Sequence, residues 1–244
     1  MQQAFSALLS RYPVVAQECA TRGIKIDLAH LISEAEENLR NQIAEDREMS
    51  SITGTSQAFV VQLSEYEIMC AFALGSLRTW FNEQVMGWKY RHYGLPSALA
   101  HSIGQIGEMA MSNYLTSHEI NYDPAPAIVN SKADFRQDFR IEGHSVGLKT
   151  AKKAAYVRAL QEGYAYYPAK NKIGESKRVL PYPEYLVQMG VDCADFTAHI
   201  LGVVRGVDIS SAETVGMHGK PTHRIPVSFY RPLKHSPSIR AKGN

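Results

Sequence analysis

The spacing of hydrophobic residues divides the chain into a helical first part and a mixed second part. Apolar residues recur at helical intervals in four stretches, which predicts helices over residues 3–19, 28–39, 65–90 and 98–115. Pro13 interrupts the first of these stretches, and Asp27 precedes the second in the position of a helix cap. Ser97 is placed to cap the fourth helix in the same way.

After residue 123 the hydrophobic pattern changes to the two-residue period of strands. Strands are predicted over residues 134–141, 145–150, 185–191, 199–204 and 224–230, with a helix over 151–162. The stretch 185–191 is apolar on both faces, which is typical of a central strand covered on both sides. This order of elements predicts an α/β fold with a mixed central sheet flanked by helices.

Composition narrows the class of protein. The chain has 244 residues, of which 45% are hydrophobic and 20% charged, a balance that supports a folded core of one large or two small domains. No apolar stretch approaches the roughly 18 residues of a membrane-spanning helix, so no membrane partner is expected. Three widely spaced cysteines do not form a disulfide framework, which favours a reducing, cytoplasmic location.

The net charge of +2 conceals an uneven distribution. Residues 1–123 carry 8 Lys and Arg against 14 Asp and Glu, whereas residues 124–244 carry 18 against 10. A basic half suggests that this part of the chain meets a polyanion such as nucleic acid. The alternative is an uneven but merely solvated surface.

One predicted hairpin carries candidate chemistry. Glu142 and Gly143 form a plausible turn, and folding the chain there brings Asp138 beside Gly147 and Lys149. The hydrophobic residues of both strands then share the opposite face. A carboxylate in this position can hold a hard divalent cation, and a neighbouring lysine can orient water or stabilise charge on a phosphate. The pattern therefore suggests metal-dependent phosphodiester hydrolysis.

These residues resemble the motif of the PD-(D/E)XK nuclease superfamily, to which many restriction endonucleases belong. Asp138 matches the first acid of that motif and Lys149 its lysine, but Gly147 occupies the position of the second acid. In a known variation the second acid lies on the helix that follows the lysine strand, and Glu162 stands at the corresponding spacing here. Glu108, on the helix before the hairpin, resembles the glutamate that supports the metal in this superfamily.

The resemblance covers about residues 105–205 and implies a restriction-endonuclease-like fold. It implies an endodeoxyribonuclease, most simply a type II restriction endonuclease, that uses Mg²⁺, for which Mn²⁺ can substitute, and acts on double-stranded DNA as a homodimer. Asp138, Glu162 and Glu108 would hold the metal, and Lys149 would complete the catalytic set. The organisation expected is a helical region over 1–97 for dimerisation or DNA clasping, a nuclease core over 98–231 and a basic tail over 232–244.

Several polar side chains around the proposed site are candidates for DNA binding. Most are basic, and Gln188 resembles a glutamine that borders the site in the superfamily; the set is Arg136, Arg140, Lys152, Lys153, Arg158 and Gln188. Phosphate-contacting and base-reading side chains are of the same types, so the sequence does not separate these two roles.

Three alternatives stay open. Gly147 can instead mark a decayed site in a DNA-binding protein without catalytic activity. A nuclease of the same fold acting in repair or recombination would carry the same residues. Each candidate residue also has a plain structural interpretation, because charged side chains on hairpins and helices are usually solvated.

Overall fold

The computed structural model shows an α/β protein whose main sheet has six strands. The structure describes residues 1–49, 59–88, 95–128, 138–168, 182–217 and 220–233. Within them, the helices are α1 Gln2–Arg11, α2 Pro13–Arg22, α3 Leu28–Glu48, α4 Glu65–Trp80, α5 Ser97–Ser117, α6 Lys153–Glu162 and α7 Gly206–Ser210. The strands are β1 Phe59–Gln62, β2 Tyr122–Pro124, β3 Phe139–Ile141, β4 His144–Lys152, β5 Tyr164–Pro168, β6 Tyr185–Asp192, β7 Thr197–Arg205, β8 Glu213–Met217 and β9 Lys220–Pro226.

The six-stranded sheet is mixed, as the sequence predicted. Its strand order is β1-β7-β6-β4-β3-β2, and the pair of β4 and β6 is parallel while the other neighbours are antiparallel. Helix α6 lies between β4 and β6 in the chain and makes the crossover that a parallel pair requires. Strand β6 is buried along nearly its whole length, which confirms the prediction that residues 185–191 form a central strand.

The β3–β4 hairpin forms around the predicted turn. Glu142 and Gly143 both have positive φ angles, of 48° and 88°, which is the backbone conformation of a two-residue hairpin turn of the primed type. Phe139 and Ile141 are buried, whereas Arg140 between them is exposed. The predicted alternation of the two faces is therefore confirmed in β3, whereas in β4 the neighbours Val146 and Gly147 are both buried.

The helix starts show which capping predictions hold. Pro13 begins α2, where its missing N–H costs nothing, and so separates α1 from α2. Asp27 caps α3 by accepting a hydrogen bond from the His30 N–H at 3.0 Å. The prediction that Ser97 caps α5 is wrong, because Ser97 is the first helical residue and Pro96 occupies the cap position without a side-chain bond.

The ends of other predicted elements also change. Helix α4 ends at Trp80, and a π-helical turn over Phe81–Val85 follows it directly. The last two residues of the predicted helix, 89 and 90, lie outside the described part of the chain. The last strand, β9, ends at Pro226, so the prediction of strand over 227–230 is wrong. Strands β5, β9 and β8 form a second, antiparallel sheet of three strands.

One hydrophobic core joins the first part of the chain to the second. Buried residues of α1 to α4, such as Phe5 and Phe72, belong to the same cluster as Met111 of α5 and Met189 of β6. Strand β1 pairs with β7 and so places part of the predicted N-terminal region in the main sheet. The boundary predicted after residue 97 therefore does not coincide with a gap in the core.

The described helices offer no candidate for a membrane span: each of them is too short or too polar to cross a bilayer.

Candidate functional site

Asp138 lies at the open end of the β3–β4 hairpin and makes three hydrogen bonds with neighbouring backbone groups. Its backbone N–H donates to the Val146 carbonyl at 3.2 Å, and its carbonyl accepts from the Ala125 N–H at 2.8 Å. Its carboxylate oxygen Oδ2 accepts a hydrogen bond of 2.5 Å from the Leu148 N–H. At the start of β3, the Asp138 carboxylate thus accepts a hydrogen bond that a backbone carbonyl accepts in a regular strand pair. Its position is set by the backbone of β4 rather than by side-chain packing.

Lys149 follows Leu148 on β4 and lies beside Gln188 of β6 in the parallel register. The charge of Asp138 acts to raise the pKa of Lys149, and the charge of Lys149 acts to lower the pKa of Asp138. Gln188 is only 4% exposed, and its oxygen Oε1 is buried with no hydrogen-bond partner among the described residues. A buried amide oxygen without a partner is costly in a folded protein. The position of this one next to Lys149 is consistent with a ligand-binding role.

The main sheet has a bulge beside Gln188. The β6–β7 register shifts between Gln188 and Met189, which pair with Gly202 and Ile200, so that Leu201 is an extra residue on β7. Such bulges bend a strand locally and are common beside functional sites.

Helix α5 brings a second carboxylate to Asp138. Gly107 lies so close to Thr150 of β4 that a side-chain carbon at this position would overlap the threonine hydroxyl. The glycine therefore lets α5 approach the sheet closely. The next residue, Glu108, then lies near Asp138, and repulsion between the two carboxylates contributes to the electrostatics of the site.

Burial and mutual repulsion dominate the ionisation of this group. Burial first, and then the charge of Asp138, raise the pKa of Glu108 to about 7. Burial also raises the pKa of Asp138, against the opposing effects of the Leu148 N–H, Arg78 and Lys149. Burial lowers the pKa of Lys149, although Asp138 opposes that shift. All three residues nevertheless keep partial solvent access.

Three further polar side chains adjoin Glu108, and the sequence analysis did not select them. Arg78 of α4 favours the charged forms of both Glu108 and Asp138, and the nearby Gln105 amide lowers the pKa of Glu108. Tyr12, between α1 and α2, interacts electrostatically with both Glu108 and Arg78. A sequence signal existed for Arg78, because it is the sole basic residue of the otherwise largely apolar α4.

The structure does not bring Glu162 into this group. Glu162 is exposed at the last position of α6, and its carboxylate accepts a hydrogen bond of 3.1 Å from the Tyr166 hydroxyl of β5. An acid at a helix C-terminus is disfavoured by the helix dipole, and the tyrosine bond partly offsets that cost. Glu162 therefore contacts the second sheet through Tyr166, although it lies at the sequence spacing from Lys149 that the second acid would have.

The predicted DNA-binding residues have different surroundings. Arg140 and Arg158 are exposed, and Arg136 lies outside the described residues. Lys152 forms an ion pair with Glu45 at 2.7 Å and is partly buried.

Lys153, which was predicted to bind DNA, is buried. Its side chain is 3% exposed, and its ammonium group pairs with Asp192 at 2.7 Å and donates to the Asp46 carbonyl at 2.8 Å. The Asp46 carboxylate in turn accepts from the Cys193 N–H at 2.7 Å. These bonds connect the C-terminal end of α3 to α6 and β6. Lys153 thus stabilises the fold and is not exposed for contact with DNA.

The donor set decides which cation this site could hold. Asp138 and Glu108 supply carboxylate oxygens, and Gln188 supplies an unpartnered amide oxygen. In the described ranges no cluster of three or more His, Cys, Asp or Glu side chains suits a metal ion. Mg²⁺ is commonly held by one or two carboxylates together with waters and substrate phosphates, so a two-carboxylate site fits this ion.

Comparison with known proteins does not add to this description. The chain matches no family model, no curated protein and no solved structure among those compared.

Proposed function

We propose that the protein is a Mg²⁺-dependent endodeoxyribonuclease that cleaves double-stranded DNA, with type II restriction as the form of activity. The observation that supports this proposal is the juxtaposition of two carboxylates, Glu108 and Asp138, with Lys149 at the mouth of one hairpin. Two partly buried acids that repel each other favour the binding of a cation.

Each residue has a defined role in this proposal. Asp138 and Glu108 would hold the cation, and Gln188 Oε1 is a further oxygen available to it. When bound, a divalent cation supplies a Lewis acid that polarises the scissile phosphate. Burial lowers the pKa of Lys149, and its amino group would orient the attacking water. Attack on phosphorus breaks the bond to the 3′ oxygen, which takes up a proton and leaves a 5′-phosphate.

A homodimer is part of the proposal. A symmetric duplex target is matched by a protein with a twofold axis, and the acidic surface of the N-terminal helices suits contact with protein better than contact with DNA. Sedimentation of the protein with and without duplex DNA measures this directly.

Cleavage assays test the proposed activity. A panel of long double-stranded DNAs is incubated with Mg²⁺ or Mn²⁺ and either the natural protein, Asp138→Asn or Lys149→Met. The matched controls are Asp123→Asn and Lys25→Met, which change exposed residues elsewhere. Discrete fragments from the natural protein and both controls, with loss of cutting in the two site variants, are expected. Equal cutting by all five proteins, or no cutting with either metal, would overturn the proposal.

The same assay separates the alternatives. Nicking, or cutting of branched DNA alone, would indicate a repair or recombination nuclease. Binding of DNA that persists in EDTA, without cleavage under any metal, would indicate a binding protein that lacks catalytic activity.

A further inference from the structure

Helices α4 and α5 pack antiparallel in a register that two side-chain contacts define. Glu67 Oε1 accepts a hydrogen bond from Asn113 Nδ2 at 2.7 Å near one end of the pair. Thr79 Oγ1 and His101 Nδ1 are 2.7 Å apart near the other end. Both contacts correspond to the same alignment of the two helices, so the side chains between them can be placed relative to each other.

This register directs Arg78 toward the candidate site. Gly75, about one helical turn before Arg78 on α4, packs directly against Ser102, so the Arg78 backbone lies further toward the start of α5. Long side chains of a helix point toward its N-terminus, and for Arg78 this direction leads along α5 toward Gln105 and Glu108. The attraction of Arg78 for Glu108 and for Asp138 agrees with this placement.

The local sequence makes an arginine at this position unusual. The α4 segment from Ile68 to Trp80 contains no other charged residue, and most of its side chains are buried. Arg78 itself is half-buried, so its guanidinium is neither in the core nor fully solvated. Helix α4 therefore contributes a half-buried arginine beside the two carboxylates of the candidate site.

We propose that Arg78 binds a non-bridging oxygen of the DNA phosphate at this site, an inference that rests on the proposed nuclease function. A guanidinium presents several N–H donors in a rigid plane and can bond a carboxylate and a phosphate oxygen together. Arg78 would thus make α4 a direct part of the nucleic-acid site. The competing interpretation is that Arg78 only neutralises Glu108 and Asp138 and never contacts substrate.

Salt-dependent binding distinguishes the two roles. Binding of a labelled mixed-sequence duplex is measured by fluorescence anisotropy over a range of salt concentrations, with Ca²⁺ in place of Mg²⁺. The proteins compared are the natural chain, Arg78→Met, Arg78→Lys and the control Arg22→Met, which alters an exposed arginine of α2. Mn²⁺ binding to each protein without DNA is measured by calorimetry.

Loss of one phosphate contact predicts a specific change. Arg78→Met should reduce the slope of log affinity against log salt by about one, weaken DNA binding several-fold at low salt, and leave Mn²⁺ binding equal or tighter. Arg78→Lys should keep the slope but bind DNA more weakly, because an ammonium cannot bond two oxygens in one plane. Arg22→Met should match the natural protein.

The outcomes that overturn the inference are separate from those that overturn nuclease activity. If Arg78→Met keeps the slope of log affinity against log salt and binds Mn²⁺ more tightly, Arg78 only neutralises the two carboxylates. The inference is then rejected even if the natural protein cuts DNA. If Arg78→Met does not fold, equal DNA affinity of Arg78→Lys and the natural protein would also reject the inference. Binding with the predicted slope but no cleavage would support Arg78 and reject the proposed nuclease. Failure of the natural protein to bind DNA would reject both.

Discussion

The carboxylate of Asp138 accepts a hydrogen bond from the backbone N–H of Leu148, the residue that precedes Lys149. The acid and the lysine of the proposed site are therefore held together by the backbone of one strand. Any movement of β4 would carry Lys149 and the anchor of Asp138 together.

Substitutions of Asp138 should separate folding from chemistry. Asn retains an oxygen that can accept from the Leu148 N–H, so Asp138→Asn should fold with nearly normal stability. Asp138→Ala leaves that N–H without its partner and should lower the free energy of unfolding by about 1–3 kcal/mol. Urea denaturation measures the difference, with the exposed Asp123→Ala as the control. Equal stability of the Asn and Ala variants would show that the hydrogen bond contributes little.

The identity of the second metal-binding acid can be tested without DNA. A cation that binds the folded state raises the melting temperature, so Mg²⁺ at pH 8 should stabilise the natural protein. This stabilisation should disappear in Glu108→Gln and Asp138→Asn. It should persist in Glu162→Gln, because the Glu162 carboxylate is engaged with Tyr166. Loss of the effect in Glu162→Gln alone would restore Glu162 as the ligand that its spacing from Lys149 suggests.

The raised pKa of Glu108 predicts a particular pH dependence of stability in metal-free protein. Its ordinary pKa is 4.5, and burial and Asp138 raise it to about 7 in the folded state. Between these values the folded state binds more protons than the unfolded state, so stability falls as pH rises. Above pH 7 the full cost of the buried charge is present.

Glu108→Gln removes this cost and should therefore stabilise the metal-free protein at pH 8. After allowance for partial solvent exposure, we expect an increase of about 1–2 kcal/mol in unfolding free energy at pH 8, which declines toward pH 4.5. Urea denaturation at several pH values provides the measurement, and Glu36→Gln on the exposed side of α3 is the control. A difference that does not vary with pH would contradict the assigned pKa.

The buried ion pair of Lys153 and Asp192 should be sensitive to the loss of one partner. Lys153→Met leaves Asp192 buried without its cation and should cost about 3–5 kcal/mol of unfolding free energy. The double variant Lys153→Met/Asp192→Asn should recover part of this loss, since the charge of Asp192 is then removed together with its cation. Lys152→Met, which breaks the more exposed pair with Glu45, should cost about 1 kcal/mol or less. Similar losses at both lysines would contradict the assignment of Lys153 to the interior.

The sequence predicted the hairpin correctly because its evidence is local. Alternation of buried and exposed residues around Glu142 and Gly143 specifies both the turn and the face on which Asp138 lies. The central position of β6 followed from the same kind of local pattern. Neither prediction required knowledge of distant contacts.

Other features depend on contacts that no local pattern specifies. Strand β1 has only four residues and acquires its role by pairing with β7, more than a hundred residues away. The adjacent lysines 152 and 153 look alike in sequence, yet Lys153 meets the buried Asp192 and Lys152 does not. The spacing between Lys149 and Glu162 likewise says nothing about the direction of the Glu162 side chain, which Tyr166 determines.

The continuity of the hydrophobic core through α4, α5 and the main sheet has a practical consequence for dissecting this protein. A fragment starting at residue 98 would retain Asp138, Lys149 and Glu108 but lose β1, α4 and Arg78. Its freshly uncovered apolar face would be large enough to drive aggregation. The acidic half of the chain is thus an integral part of the folded unit. Mutational studies should therefore alter single side chains rather than divide the polypeptide.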